Sequence, residues 1–311
     1  EDGMQRHEQA LATLRRLEMS PEAAHTLADL AAASLLAEDA EKATAYCVEG
    51  LRASANVDSA PAESSLMVLR GIAAAQAGDY ARGQEAFADA LGVHQRVGAL
   101  RHEASNLLWQ ARLASRDSDH HSAALYHAER VDALRLIGSA DDVAQALRLA
   151  AVAACRGGRL SDARRLAGEE ARLRAASGDG REEARARLLI ASAEATTGEL
   201  SAARSTLGLA LGKANDDATR ALCLTGFGVV AQVTGLLPEA ATLMAASIAW
   251  RRGNDEESGD AVVGLYAEVA TATLAAVQEA MSAGAFGRAT AQGDAMDLPT
   301  AAAYARQRGL V

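Results

Sequence analysis

The densest set of side chains able to hold a metal or move a proton lies in DSDHHSAALYHAER, which carries Asp117, Asp119, His120, His121 and His127. A helix that binds zinc presents two histidines four positions apart on one face. Here His120 and His121 are adjacent and His127 stands two turns further on, so the pattern reads as a solvated turn followed by a helix. Cys47, Cys155 and Cys223 are far apart, each inside a helical pattern. That spacing offers neither a disulfide framework nor a zinc pair and suits a reducing, cytoplasmic setting. No histidine is placed near Cys155 by sequence, so it reads as a structural thiol. The carboxylate pairs Asp141-Asp142, Glu182-Glu183 and Asp216-Asp217 precede helical patterns, where a helix N-terminus favours acids without any catalysis. No G-x-x-x-x-G-K-[ST] phosphate loop occurs, and GGRL and GDG read as turns. The residues therefore point to no catalytic set, no cofactor and no metal.

What must position these groups is helix. Of the 311 residues 77 are alanine and only 3% are aromatic, which favours closely spaced helices with thin layers between them. Pro21, Pro61, Pro238 and Pro299 all fall where a helix would begin, in SPEAA, APAES, LLPEA and DLPTA. The net charge of −10 argues against a surface for nucleic acid, and Lys42 and Lys213 are the only lysines among the basic residues. No apolar run is expected to reach the length of a membrane span, and no leader opens the chain.

The chain repeats. Gly78-Asp79-Tyr80 recurs 40 positions on as Ser118-Asp119-His120, then as Gly158-Arg159-Leu160 and Gly198-Glu199-Leu200. Glu38-Asp39-Ala40 stands 40 positions before it, and Gly235-Leu236-Leu237 follows after a step of 37. Small residues keep the register early in each following helix, at Ala43, Gly83, Ala123, Ala163, Ala203 and Ala240. Each unit thus predicts a helix, a short turn near residue 38, 78, 118, 158, 198 or 235, and a second helix, with glycine in the turn at 78, 158, 198 and 235. Such a pair cannot bury its apolar face alone and stacks on the next. Phe87, a lone aromatic in its column, is expected in the core. Arg130 and Glu170 replace small residues in the second helices, which predicts looser or bent middle units.

Gly78-Asp79-Tyr80…Gly83…Phe87…Ala90, with Gly71 in the helix before, resembles the tetratricopeptide repeat, although 40 residues exceeds its usual unit of roughly 34. Elongated units of this kind resemble the arrays of bacterial signal-transduction ATPases and large LuxR-type transcription regulators. AFGRATAQGDAMDLPTAAAYARQRG, near the end, is similar to the tail closing those arrays. It predicts two short helices, with Asp297 or Leu298 before Pro299, folded over the last hairpin. The resemblance implies an all-α, right-handed solenoid of about six hairpins, with a capping half repeat at 1–21, the array at 22–253 and a helical cap at 254–311. ATPase and DNA-binding parts of such a regulator would lie outside this chain.

First helices of such arrays line the concave side. In this chain they carry Arg70, Trp109, Arg112, Arg116, Arg148, Arg156, Arg185 and Arg187. Trp109, Arg112, Arg116, Arg148, Arg156 and Arg185 are the candidate partner-binding residues, since arginine forks pair bidentately with carboxylates. Arg116 and Arg156 stand one period apart and are expected to be neighbours. The expected function is a non-catalytic interaction and regulatory module for a protein or peptide, acidic or extended, without membrane or nucleic-acid contact. A receptor for a peptide or small molecule in the groove is the alternative, and an enzyme with an unrecognised site is the second.

Overall fold

The structure, a computed structural model, describes residues 2–16, 20–55, 60–254 and 260–311. Among these every regular element is an α-helix, and the helices gather into two units, Glu1–Ser139 and Ala140–Val311. The first unit holds α1 (Asp2–Arg16), α2 (Ser20–Leu36), α3 (Ala40–Ser54), α4 (Ala60–Gln76), α5 (Tyr80–Arg96), α6 (Leu100–Arg116) and α7 (His120–Ile137). The second holds α8 (Ala140–Arg156), α9 (Leu160–Ser177), α10 (Gly180–Thr196), α11 (Leu200–Lys213), α12 (Asp217–Val233) and α13 (Leu237–Gly253). It ends with α14 (Ala261–Ala280), α15 (Ala283–Asp294) and α16 (Leu298–Gln307). The division follows α7, the helix that carries Arg130.

From α2 to α13 the helices pair into six antiparallel hairpins, and α1 precedes them and packs against α2. The expected half repeat covers 1–21, of which residues 1 and 17–19 lie outside the described ones. All six turns fall where the period puts them. Gly78, Gly158, Gly198 and Gly235 end their first helices with φ between 70° and 82°, the left-handed region that costs an L side chain energy. Glu38 and Ser118 occupy the same place with φ of 59° and 60° and without glycine's freedom. Asp39, Asp79 and Asp119 then cap the following helix, each side chain accepting the backbone N–H three residues on, Lys42 at 2.9 Å, Arg82 at 3.2 Å and Ser122 at 3.0 Å.

Packing explains the small residues. A Cβ on Gly83 would meet Leu113 at 2.8 Å and the Gly71 carbonyl oxygen at 3.3 Å, and one on Gly71 would strike the Phe87 ring at 2.6 Å. Phe87 is itself 1% exposed, seated in the core as expected. The middle repeats hold charge where alanine stands elsewhere. Glu170 is fully buried and accepts from Arg148 Nε at 2.7 Å, while Arg148 also pairs with Glu182.

Beyond α13 the tail folds back as two short helices. Asp297 caps α16, accepting the Thr300 N–H at 2.8 Å, and α15 lies against α13 while α16 lies against α12 and α13. The expectation about apolar runs needs correcting. α14 spans 20 residues and is apolar enough, by length and composition, to cross a membrane. Here it packs against protein, with Val262, Leu265, Tyr266, Ala270 and Val277 buried.

Candidate partner-binding faces

Within each unit the first helices adjoin one another: α2 touches α4, α4 touches α6, α8 touches α10 and α10 touches α12. They form one face per unit, and the six candidate residues divide between the two faces.

In the first unit that face is open. A cavity of about 320 Å³ lies between α4 and α6, walled by Val68, Leu69, Ile72 and Trp109 and reached by His94 and His102. His94, from α5, is 3% exposed, and its Nδ1 has no hydrogen-bond partner among the described residues. Burial, helped by the nearby His102, depresses its pKa, so the ring is neutral. The two imidazoles lie 5.5 Å apart, tilted. Beside them Asn106 is fixed: its Nδ2 donates to the Phe87 carbonyl at 2.9 Å and its Oδ1 accepts from Gln110 at 3.1 Å. Arg112 stacks over Trp109 at 5.0 Å and Arg116 over Tyr80 at 5.9 Å. Both guanidinium groups are exposed, and among the described residues neither forms an ion pair. An exposed arginine held over a ring remains able to take a carboxylate.

In the second unit the candidate arginines are already engaged. Arg148 is 8% exposed and held between Glu170 and Glu182. Burial pushes the Glu170 carboxyl up to about 7, although Arg148 and Arg174 oppose that rise. Arg185, 2% exposed, donates to Asp260 at 2.9 Å. Arg156 holds Glu268 with Nε at 3.2 Å and Nη2 at 2.6 Å. Both of these acids belong to α14 or its cap, which sequence separations of 75 and 112 residues had hidden. Arg187 meets Glu183 at 2.7 Å, and Arg70 of the first unit meets Asp89 at 3.5 Å.

The remaining reactive groups have structural work. Burial raises the thiols of Cys47 and Cys223 to about 12 and that of Cys155 to about 11, so all three are protonated at neutral pH. His127 is buried beside Arg130 and Arg112, and its pKa falls to about 3. Asp141 pairs with Arg174, and Asp216 caps α12 through the Thr219 N–H at 2.9 Å. Among the described residues no three His, Cys, Asp or Glu side chains gather as metal ligands. The pocket residues His94, His102 and Asn106 escaped the sequence reading because they carry no repeat signature and their partners lie on neighbouring helices.

No protein-family model matches the sequence, and no curated protein does. Solved structures match its fold. The apo form of RapI aligns with a TM-score of 0.58 at 8% identity, over 88% of this chain and 81% of that one. The chain is a tetratricopeptide-like helical array. A STAND protein with a tetratricopeptide repeat sensor, PH0952 from Pyrococcus horikoshii, aligns with a TM-score of 0.55 at 15% identity. That match covers 74% of this chain and 36% of the STAND protein. BtubC (BKLC) from P. vanneervenii aligns with a TM-score of 0.53 at 14% identity, over 68% and 89% of the two chains. At such identities the likeness is one of fold.

Proposed function

We propose that the chain is a non-catalytic interaction module and that the first-helix face of its first unit receives a protein or peptide partner. The observation that carries this is the open cavity at Trp109, apolar in its walls, with neutral His94 and oriented Asn106 beside it, exposed Arg112 stacked on its Trp109, and exposed Arg116 one turn further along the same helix. Such a site suits an apolar or aromatic anchor flanked by acid: the anchor leaves water, and Arg112 and Arg116 take the charge. On a chain of net charge −10, a local positive rim also steers an acidic segment toward the face. The likeness to PH0952, a STAND protein with a tetratricopeptide repeat sensor, supports a role as the sensor or scaffold part of a regulator. ATPase or DNA-binding parts would then belong to other segments or partners.

Selection of peptides from a random library against the whole chain tests this. Selected peptides should combine an aromatic or large aliphatic residue with nearby acids. Trp109→Ala should weaken them at least about tenfold, and Arg112→Glu with Arg116→Glu should slow association most at low salt. Binders indifferent to all three changes, in variants of unaltered helix content, would refute the assignment. The volume of the cavity, at the low end of known ligand sites, also favours a second reading as a receptor for a small apolar molecule. Small-molecule displacement of a selected peptide would distinguish the two.

A further inference from the structure

In a regular array, the helix after α13 would lie against α12 and α13 alone. α14 does more: besides those two it reaches back to α10 and α8. It lies on the face formed by the first helices of the second unit, where a partner would be expected to sit. Its attachment has the chemistry of a ligand in a groove. Asp260 caps the helix with one oxygen, accepting from Val262 and Val263 N–H at 2.8 and 3.0 Å, and offers the other to Arg185. Glu268, eight positions on, meets the Arg156 fork. Between them the Tyr266 hydroxyl donates to the Leu188 carbonyl at 2.6 Å, using the lone pair left free by the helix bond. A gap of only about 10 Å³ remains beside the Tyr266 ring, so the seat fits an aromatic anchor.

The segment after α14 is secured separately. Gly293 of α15 lies so close to α13 that a Cβ there would stand 2.1 Å from the Thr242 carbonyl oxygen, and Thr242 Oγ1 donates to the Ala289 carbonyl at 3.1 Å. The attachment of α15 and α16 to α12 and α13 thus does not depend on α14 being seated.

We infer that the first-helix face of the second unit is a helix-binding surface, and that α14 occupies it in place of a partner helix of the same chemistry. That partner carries an apolar stripe, an aromatic anchor and two carboxylates about two turns apart, matching Arg185 and Arg156. It gains the surface only as α14 leaves, so its apparent affinity is reduced by the fraction of chains in which α14 is seated. This inference is independent of the site at Trp109.

Two measurements on the full chain test it. By native-state hydrogen exchange, amides of α14 should exchange through an opening that leaves α10 and α12 protected. A synthetic peptide spanning Asp260–Ala280 is then titrated into the wild-type chain and into a chain carrying Tyr266→Phe and Glu268→Gln, which loosen the resident helix. The loosened chain should bind at least about tenfold more tightly. Adding Arg156→Glu to it should remove that gain, and a peptide bearing Glu268→Arg should restore it. If α14 exchanges only together with α10 and α12, or if the peptide fails to distinguish the two chains, α14 is a fixed structural cap and the inference is wrong.

Discussion

Arg148 and Glu170 form a buried ion pair whose loss and replacement should differ sharply. Arg148→Ala removes the hydrogen-bonded partner of Glu170, which has no exposed surface and one carboxylate oxygen already unpartnered among the described residues. The expected cost is about 3–5 kcal/mol in denaturant titration. Arg148→Met with Glu170→Leu fills the space without charge and should be neutral or stabilising. A double variant as unstable as the single one would mean that the pair itself holds the second unit together. None of this was legible in the sequence. Eight first-helix positions of interest looked alike, seven of them arginines. What separates Arg148, Arg156 and Arg185 from Arg112 and Arg116 is the acid each one meets, and Glu268 lies 112 residues from Arg156. The sequence carried a register, and register places residues on a helix face without saying what crosses that face.

Turns and contact helices set the next scale. Six turn positions and the two-helix tail were legible, because turn residues and small-residue columns are local signals. Ser118 stands in the left-handed region, which costs an L residue about 1–2 kcal/mol, while glycine loses about 0.5–1 kcal/mol more on ordering. Ser118→Gly should therefore raise the stability of the first unit by about 0.5–1 kcal/mol, measured as an upward shift of its denaturant midpoint. Gly78→Ala should lower it by about 1–2 kcal/mol. No gain at Ser118 would mean that its turn is not held in the left-handed form in solution. At the tail, Gly293→Ala adds a methyl against a backbone oxygen that cannot swing aside. A loss of about 1–3 kcal/mol is expected, with faster hydrogen exchange in α15. Unchanged exchange there would refute the close approach. α14 was the element least legible beforehand, since its apolar length says that it must be covered and not by what.

Across the whole molecule the two units should answer pH in opposite directions. In the first, His127 has its pKa lowered to about 3, so the unfolded chain binds the extra proton as pH falls below about 6.5. Stability there is full above that pH and is lost as pH falls toward 3. In the second, Glu170 is raised to about 7, so the folded state holds a proton that the unfolded chain releases above about 4.5. That unit loses stability as pH rises from about 4.5 to 7. Between pH 5 and 7 each effect should be on the order of 1–2 kcal/mol, read as opposite trends in hydrogen-exchange protection of α6 and α10. Parallel trends would show that other groups dominate. Alanine gives the molecule one more property. Ala43, Ala123, Ala163, Ala203 and Ala240 are wholly buried and have almost nothing to lose, since trimming a methyl opens little void. Adding even two carbons at any of them forces a helix pair apart. Mutational drift at these alanine positions is therefore asymmetric: a change to glycine costs only the backbone's extra ordering, about 0.5–1 kcal/mol, whereas nearly every enlargement must be answered by a reduction across the hairpin.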